Sequence, residues 1–460
     1  NELLGKLRLS SSRRELIREL DLLIIDEVSM VRADMLDAVD TVLRSVRRRH
    51  YEPFGGVQML FIGDMFQLPP VVKEQDAPLF YENYKSSFFF DSKVIQESPP
   101  VYLELKKIYR QEDEQFIHIL NNIRNNCCTH SDLENLYSYY QPEFSPSEED
   151  GYIILTTHNY KADDINKHQL GKLQGRLYKF ESKITGEFPE NAYPVDAILY
   201  LKIGAQIMFI KNDKGEKRKY YNGKIGIVKE IDEEEEMIYI SSPGEKETIE
   251  LSLETWKNVR YQYEQEKDEI TEEELGAFTQ YPIRLAWAVT IHKSQGLTLD
   301  KAVIDAGASF AAGQVYVALS RLRSMDGLIL HSKITEKNIL TDPDVIAFSN
   351  TEKPKEKLLE ILASAQQEFI RQSLLDTFDW KKMNESIQTL LQDVVQRSVP
   401  DKSGEIAFLN RLIEAAFQET EVSGKFRTQL EKLLDQKDGS DYSKLHQRVT
   451  KAVEWFTQDL

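Results

Sequence analysis

Two adjacent carboxylates, Asp26 and Glu27, follow directly on the apolar run Leu22–Ile25 in the stretch LLIIDEVSM. An acid pair at such a point suits phosphate chemistry. One carboxylate can hold Mg²⁺ on a nucleotide while its neighbour polarises a water for attack on a phosphate. The same residue types also cap helices, so the pair alone has a structural reading as well. A second polar cluster, Gly63, Asp64 and Gln67 of GDMFQLPPV, lies just past the apolar run Val57–Ile62. Gly63 permits a tight turn, Pro69 and Pro70 stiffen the chain beyond it, and Gln67 could orient a water or sense a terminal phosphate. Arg110, in YRQ, is a guanidinium that could reach a transferred phosphoryl group across a cleft.

The elements that must position these groups alternate between strand and helix. Both apolar runs read as strands buried on two faces, and in an open parallel sheet ligands sit beyond the carboxyl ends of such strands. Between them, Met35, Leu36, Val39, Val42, Leu43 and Val46 recur at helical spacing, and Arg47, Arg48 and Arg49 close the helix. Val101–Leu105 reads as a third strand, and Phe116, Ile119, Leu120 and Ile123 form a helical face. Pro142–Asp150 has linker composition; Tyr152–Leu155 then opens a second strand, polar tip and helix unit, with its helix from about Ala162. Residues 176–280 change to short alternating runs with turns at Asn222-Gly223 and Pro243-Gly244, the pattern of a small inserted β-barrel. Tyr220, Tyr221 and Trp256 there could stack on bases or simply pack. The α/β pattern returns at Pro282, and from Pro354 onward the chain reads as amphipathic helices broken at Pro400, Gly404, Gly424 and Gly439.

The expected architecture is therefore α/β. Residues 1–145 form a first domain, 146–180 with 281–350 a second, 181–280 an inserted β-barrel, and 351–460 a helical region. Mean hydropathy is −0.47, no apolar stretch reaches membrane-spanning length, and residues 1–20 carry no apolar signal core. Cys127 and Cys128, the two cysteines, are neighbours, which argues against a disulfide framework and a structural zinc site and fits a reducing, cytoplasmic compartment. The net charge of −18 disfavours coating nucleic acid by bulk charge, but the acids are concentrated in Asp232–Glu236 and Glu264–Glu274, which leaves room for a local basic groove.

These segments, in this order, resemble the RecD/PIF-like DNA helicases of superfamily 1. DEVSM matches their Walker B motif, GDMFQLPP the third motif, YRQ the fourth, TIHKSQG the fifth and VALSR the sixth. DMLDAVDTVLRSVRRRHYEPFGGVQ is similar to the signature segment of PIF-like members, and LKIGAQIMFIKND with YYNGKIGIV resembles the start of their Src-homology-3-like barrel. The resemblance spans roughly residues 15–335. It implies two RecA-like domains with ATP between them, the first of them partial, and single-stranded DNA and duplex junctions as partners. Asp26 would take Mg²⁺, Glu27 would activate the water, Gln67 would sense the γ-phosphate, Arg110 and Arg321 would be arginine fingers, and Gly296 would approach the nucleotide by its backbone. Thr157, His158, Asn159, His292, Lys293 and Ser294 would contact DNA, with Phe66, Pro69 and Pro70 on a surface that stacks or splits bases. The family also implies 5′ to 3′ movement; a monomer is expected, and the helical region is a candidate for a protein partner.

One part of the family pattern is not met. No Gly-x-x-x-x-Gly-Lys-Ser/Thr occurs in the sequence, although the family places one before residue 22. Without it the nucleotide lacks the amides and the lysine that cradle its phosphates. The expectation is a helicase whose Walker A segment lies outside these residues, so that these residues alone do not hydrolyse ATP. The alternative is a non-hydrolysing nucleic-acid or protein-binding scaffold derived from a helicase.

Overall fold

The computed structural model describes residues 9–146, 150–215, 218–245, 247–264, 269–307, 309, 311–396, 400–435 and 443–458. Helix α1 (Ser11–Arg18) leads into β1 (Leu22–Ile25), α2 (Ala33–Val46) and β2 (Gln58–Phe61), and β1 and β2 pair in parallel. Leu23, Ile25, Met59 and Phe61 pack against a core that includes Leu36, Phe54, Phe89 and Val345. The opposite face is open, with Leu22 at 45% and Ile24 at 53% exposure, so these strands are covered on one side and not on two. The arginines that close α2 have a structural use. The Arg47 guanidinium donates to the carbonyls of Ile17, Arg18, Leu20 and Gly55, ending α1 with a side-chain cap.

Two short helices follow, α3 (Ala77–Asn83) and α4 (Lys93–Glu97). The expected strand at Val101–Leu105 is absent; the segment is irregular and Val101, Leu103 and Leu105 are exposed. A strand needs a ladder partner, and here the Glu104 amide donates to the Glu352 carboxylate instead. Helices α5 (Glu114–Arg124) and α6 (His130–Tyr137) come next, and the expected apolar face of α5 is fully buried. That face shares its core with the second sheet, together with Leu68.

The second sheet is parallel, in the order β14-β3-β15-β16, from β3 (Ile153–Thr156), β14 (Ala288–Thr290), β15 (Ala302–Asp305) and β16 (Leu328–Leu330). Helix α7 (Asn159–Lys172) follows β3, starting three residues earlier than expected, and α8 (Gln314–Ser320) and α9 (Pro343–Ser349) flank β16 in the chain. Between α7 and β14 the chain is antiparallel. β7 (Gln206–Phe209), β8 (Ile225–Asp232), β9 (Met237–Ser241), β10 (Thr248–Leu251) and β13 (Ile283–Leu285) form one sheet in the order β10-β9-β8-β7-β13. β4 (Tyr178–Glu181) pairs with β6 (Ile198–Leu201), and β5 (Lys183–Gly186) joins the long hairpin of β11 (Glu254–Glu264) and β12 (Glu269–Gln280). The turns at Asn222-Gly223 and Pro243-Gly244 form as expected, each glycine with positive φ.

Residues 353–460 are a separate compact unit of α10 (Lys355–Thr377), α11 (Lys381–Gln396), α12 (Lys402–Leu434) and α13 (Ser443–Gln458). Its core holds Leu375, Phe378, Phe426, Leu430 and Phe456. Helix α12 runs unbroken through Gly404 and Gly424, contrary to the expected breaks. Gly404 sits in the first turn under the Asp401 cap, and the cost of one interior glycine, about 1 kcal/mol, is small beside the packing of Phe426 and Leu430. Gly439 lies outside the described residues. Among the described residues no helix is long and apolar enough to cross a membrane.

Candidate active site and nucleic-acid interface

The strand-end loops of β1 and β2 are joined by backbone. Val28 donates to the Ile62 carbonyl at 2.9 Å, and a Cβ on Gly63 would come within 2.9 Å of the Val28 nitrogen. This packing sets Asp26 and Glu27 beside the loop of Asp64 and Gln67. Both acids of the pair are exposed, and Asp26 Oδ1 accepts the Glu27 amide at 2.8 Å. Glu27 itself has left-handed backbone, φ 50° and ψ 43°, a conformation that costs a side-chain-bearing residue on the order of 1 kcal/mol.

Asp64 is the hub of the second loop. Its carboxylate accepts the Phe66 amide at 3.1 Å and Gln67 Nε2 at 3.2 Å, and takes a hydrogen bond from the Tyr316 hydroxyl of α8. Burial, then the Asp64 charge, push the Tyr316 phenol well above its ordinary value. Gln67 Oε1 in turn accepts Gln295 Nε2 at 3.4 Å, so the loop after β2 is bonded to the loop after β14. Gly313, with φ 77°, lets the start of α8 pass so close that a Cβ would lie 2.5 Å from the Gln67 carbonyl oxygen.

Both expected finger arginines reach the same point. Arg110 Nη1 donates to the Ser320 carbonyl at 3.2 Å, and Arg321 Nη2 donates to the Ser320 hydroxyl at 3.0 Å. Gln111 adds bonds to the carbonyls of Ser320 and Leu322. Arg321 is 2% exposed, and among the described residues no carboxylate lies within 4.0 Å of it. Burial, then the neighbouring Arg110 charge, bring its guanidinium down to about 10, against partial compensation from Asp64 and Glu27. A buried cation without a close anion is costly, so this is a place where a polyanion gains. Gly296, next to Gln295 in sequence, is exposed, with φ 75° and open space where a Cβ would be. Among the described residues no group of three or more His, Cys, Asp or Glu side chains could hold a metal ion. A single exposed carboxylate such as Asp26 is chemically compatible with Mg²⁺, which takes one or two carboxylates and completes its shell with phosphate oxygens and water.

The expected DNA contacts gather at the carboxyl ends of β3 and β14, which are neighbours; the Ile291 amide donates to Thr156 across the gap. Thr157, expected to contact DNA, is buried at 4% exposure with its Oγ1 2.7 Å from His158 Nδ1, so its hydroxyl braces the imidazole, whereas Asn159 and Lys293 are exposed. Burial pulls the His292 imidazole below its usual range. Ser294 is fully buried and its hydroxyl donates inward to the Ile291 carbonyl, so its side chain stabilises the turn from within. Phe66 is not presented as a stacking surface either. Its ring is 6% exposed, covered by the Arg124 guanidinium at 4.0 Å, because the Asp64 turn folds it inward. Pro70 is buried and Pro69 half-buried. Sequence reasoning did not single out Gln295, Tyr316 or Arg124. Gln295 lies inside TIHKSQG and Tyr316 immediately precedes VALSR, whereas Arg124 follows Ile123, the last residue of the expected helical face.

Residues 1–134 match the PIF1-like helicase family, and residues 361–460 match a family described as DNA helicase, middle domain. The ATP-dependent DNA helicase Pif1 of Campylobacter jejuni is 34% identical over 342 residues, covering 69% of this chain and 71% of that protein. The chain belongs to the PIF1-like helicase family. The human ATP-dependent DNA helicase PIF1 is 36% identical over 341 residues, 72% of this chain and 48% of its own length, so the chain spans about half of that relative. Bacteroides Pif1 in complex with ADP-AlF4 superposes with a TM-score of 0.69 at 39% identity, covering 76% of this chain and 82% of that one. The same Bacteroides protein bound to single-stranded DNA gives 0.54 at 40% identity, over 75% and 78%. The mixed α/β helicase fold with a helical C-terminal region is thus that of PIF1-like helicases.

Proposed function

We propose that this chain carries the hydrolytic and DNA-gripping residues of an ATP-dependent DNA helicase that moves 5′ to 3′ on single-stranded DNA. The observation that carries the reading is that Arg110 and Arg321 both bond to Ser320, with Arg321 in electrostatic reach of Asp64 and Glu27 and Gln67 bonded to Asp64. In this reading Glu27 takes the proton of a water as its oxygen attacks the γ-phosphorus and the bond to the β–γ bridging oxygen breaks, giving ADP and phosphate. Gln67 orients that water, and Arg110 and Arg321 stabilise charge on the transferring group. Asp26 would hold Mg²⁺, which supplies neutralisation of phosphate charge when bound. Closure follows physically, because Arg110 and Arg321 gain a partner only when triphosphate is present, and they are released when it is cleaved. Grips at His158–Asn159, with Thr157 behind them, and at His292–Lys293 contact backbone phosphates without reading sequence. The antiparallel insert is assigned as the Src-homology-3-like barrel of the family.

Hydrolysis also needs a cradle of amides and a lysine around the phosphates, and no such motif occurs in these 460 residues. We assign to them the base, sensor and finger half of the site and expect no hydrolysis from this half alone. The test is DNA-stimulated ATP hydrolysis and strand displacement by the natural full-length protein on 5′-tailed and 3′-tailed duplexes. Activity on the 5′-tailed substrate, lost in Glu27→Gln with single-stranded DNA binding retained, is the expected result. ATP hydrolysis unaffected by Glu27→Gln would overturn the assignment.

A further inference from the structure

Arg124 ends helix α5 on the side facing the Asp64 turn, and nothing in the hydrolytic chemistry above uses it. Its guanidinium lies 4.0 Å from the centroid of the Phe66 ring. Nη2 is 2.6 Å from Glu104 Oε1, and Nε is 4.0 Å from Asp64 Oδ1. The side chain is only 20% exposed, so it is a charged group held in one place by a planar stack and two carboxylates. The two carboxylates outweigh burial and hold the guanidinium charge more firmly than in water.

What Arg124 holds matters for Gln67. Asp64 fixes the Gln67 side-chain amide by accepting from Nε2, and this leaves Oε1 as the atom that faces Gln295. An amide side chain has two nearly isosteric orientations; here the Asp64 acceptor on Nε2, the shorter of its two contacts, and the Gln295 donor to Oε1 distinguish them. If Asp64 swings away, the Gln67 amide can turn, and its donor and acceptor exchange places. Arg124 belongs to a helix packed into the core of the second sheet, whereas Asp64 and Phe66 belong to the loop after β2. The contact therefore crosses from one core to the other.

We propose that Arg124 is a positioning residue for ATP hydrolysis: by holding Asp64 and covering Phe66 it sets the orientation of the Gln67 amide toward the reacting phosphate. The inference rests on the proposed function, and only the role of Gln67 in it is deepened. Glu104 is the second anchor of the same clamp, since its carboxylate lies 2.6 Å from Nη2 of the guanidinium.

The experiment is steady-state ATP hydrolysis with saturating oligo(dT), using the natural full-length protein and its variants Arg124→Gln, Arg124→Lys and Glu104→Gln. Arg124→Gln is expected to lower kcat on the order of 10-fold, the scale of one hydrogen bond to a charged group, with the KM for ATP and the Kd for oligo(dT) changed less than about twofold. Arg124→Lys keeps the charge without the planar stack and should recover part of the loss; Glu104→Gln should lower kcat in the same direction by less. Unchanged kcat in Arg124→Gln overturns the proposal. So does a joint decline of kcat, KM, oligo(dT) binding and melting temperature, which marks a purely structural role. Should Arg124→Gln fail to fold, Glu104→Gln decides by the same split. Wild-type protein without hydrolysis would instead overturn the proposed function itself, which separates the two failures.

Discussion

Gly63 sits against Val28 so closely that a single added methyl group would lie 2.9 Å from the Val28 nitrogen and 3.3 Å from its Cγ1. Two strand-end loops share this contact, one bearing Glu27 and the other Gln67. Gly63→Ala must therefore part them. The expected cost is roughly 1–3 kcal/mol in a urea unfolding curve, with a larger fractional loss of ATP hydrolysis than of single-stranded DNA binding. Equal loss of both would show that the separation is not confined to the catalytic loops.

Arg321 is buried with hydrogen bonds to Val317 and Ser320 and no carboxylate within 4.0 Å among the described residues. Its replacement by Met should raise the stability of the nucleotide-free protein by about 1 kcal/mol or more, because a buried cation only partly compensated by Tyr316, Asp64 and Glu27 is removed. The same variant should lose at least about 10³-fold in kcat. Thermal melting with and without ADP in the full-length protein checks this: the variant melts higher alone and gains less from nucleotide than wild type.

His292 is held below the ordinary imidazole value of 6.5 by burial. The unfolded side chain then binds its proton at a higher pH than the folded one. Stability from this residue is complete above about 6.5 and declines as the pH falls below it. A DNA phosphate beside the ring acts in the opposite sense by favouring the imidazolium. Lowering the pH from about 7.5 to about 6 should thus weaken the fold while strengthening oligo(dT) binding at constant ionic strength. His292→Gln should flatten both trends, as followed by denaturant titration and fluorescence anisotropy.

Asn166 of α7 makes two bonds to one residue of β14, donating to the Ala288 carbonyl at 2.8 Å and accepting the Ala288 amide at 2.9 Å. Ala288 is buried at the edge of its sheet, so Asn166→Ala strands a donor and an acceptor together. The expected destabilisation is roughly 2–3 kcal/mol. Because β14 leads into the His292–Ser294 turn, single-stranded DNA binding should weaken as well. Asn166→Asp, which keeps only the acceptor, should lie between wild type and alanine.

Much of the positioning framework was legible in local pattern. The acid pair, the Gly63–Gln67 cluster and the two tips at Thr157 and His292 all stand at strand ends, where periodicity and side-chain chemistry change together. What pattern could not supply was partnership. Val101–Leu105 has strand composition but no neighbour to pair with, and Gly404 and Gly424 read as breaks although the packing of α12 carries the helix through them. The apolar period of α5 was plain, but not that it would pack on the second sheet. Ser294 and Phe66 are polar and aromatic groups beside a loop, and only the fold reveals that both turn inward. Gln295, Tyr316 and Arg124 act through side chains far apart in sequence, a relation that spacing along one chain does not encode.

The left-handed backbone of Glu27 has a consequence for anyone improving this protein in the laboratory. Glycine or asparagine would occupy that conformation with less strain, so the residue proposed as the base is also one that local backbone energetics disfavour. Selection for heat resistance or soluble yield alone would reward its loss. Under the proposed function, a stabilised lineage would keep its fold and its DNA binding while ATP hydrolysis fell silent, unless each round also demanded turnover.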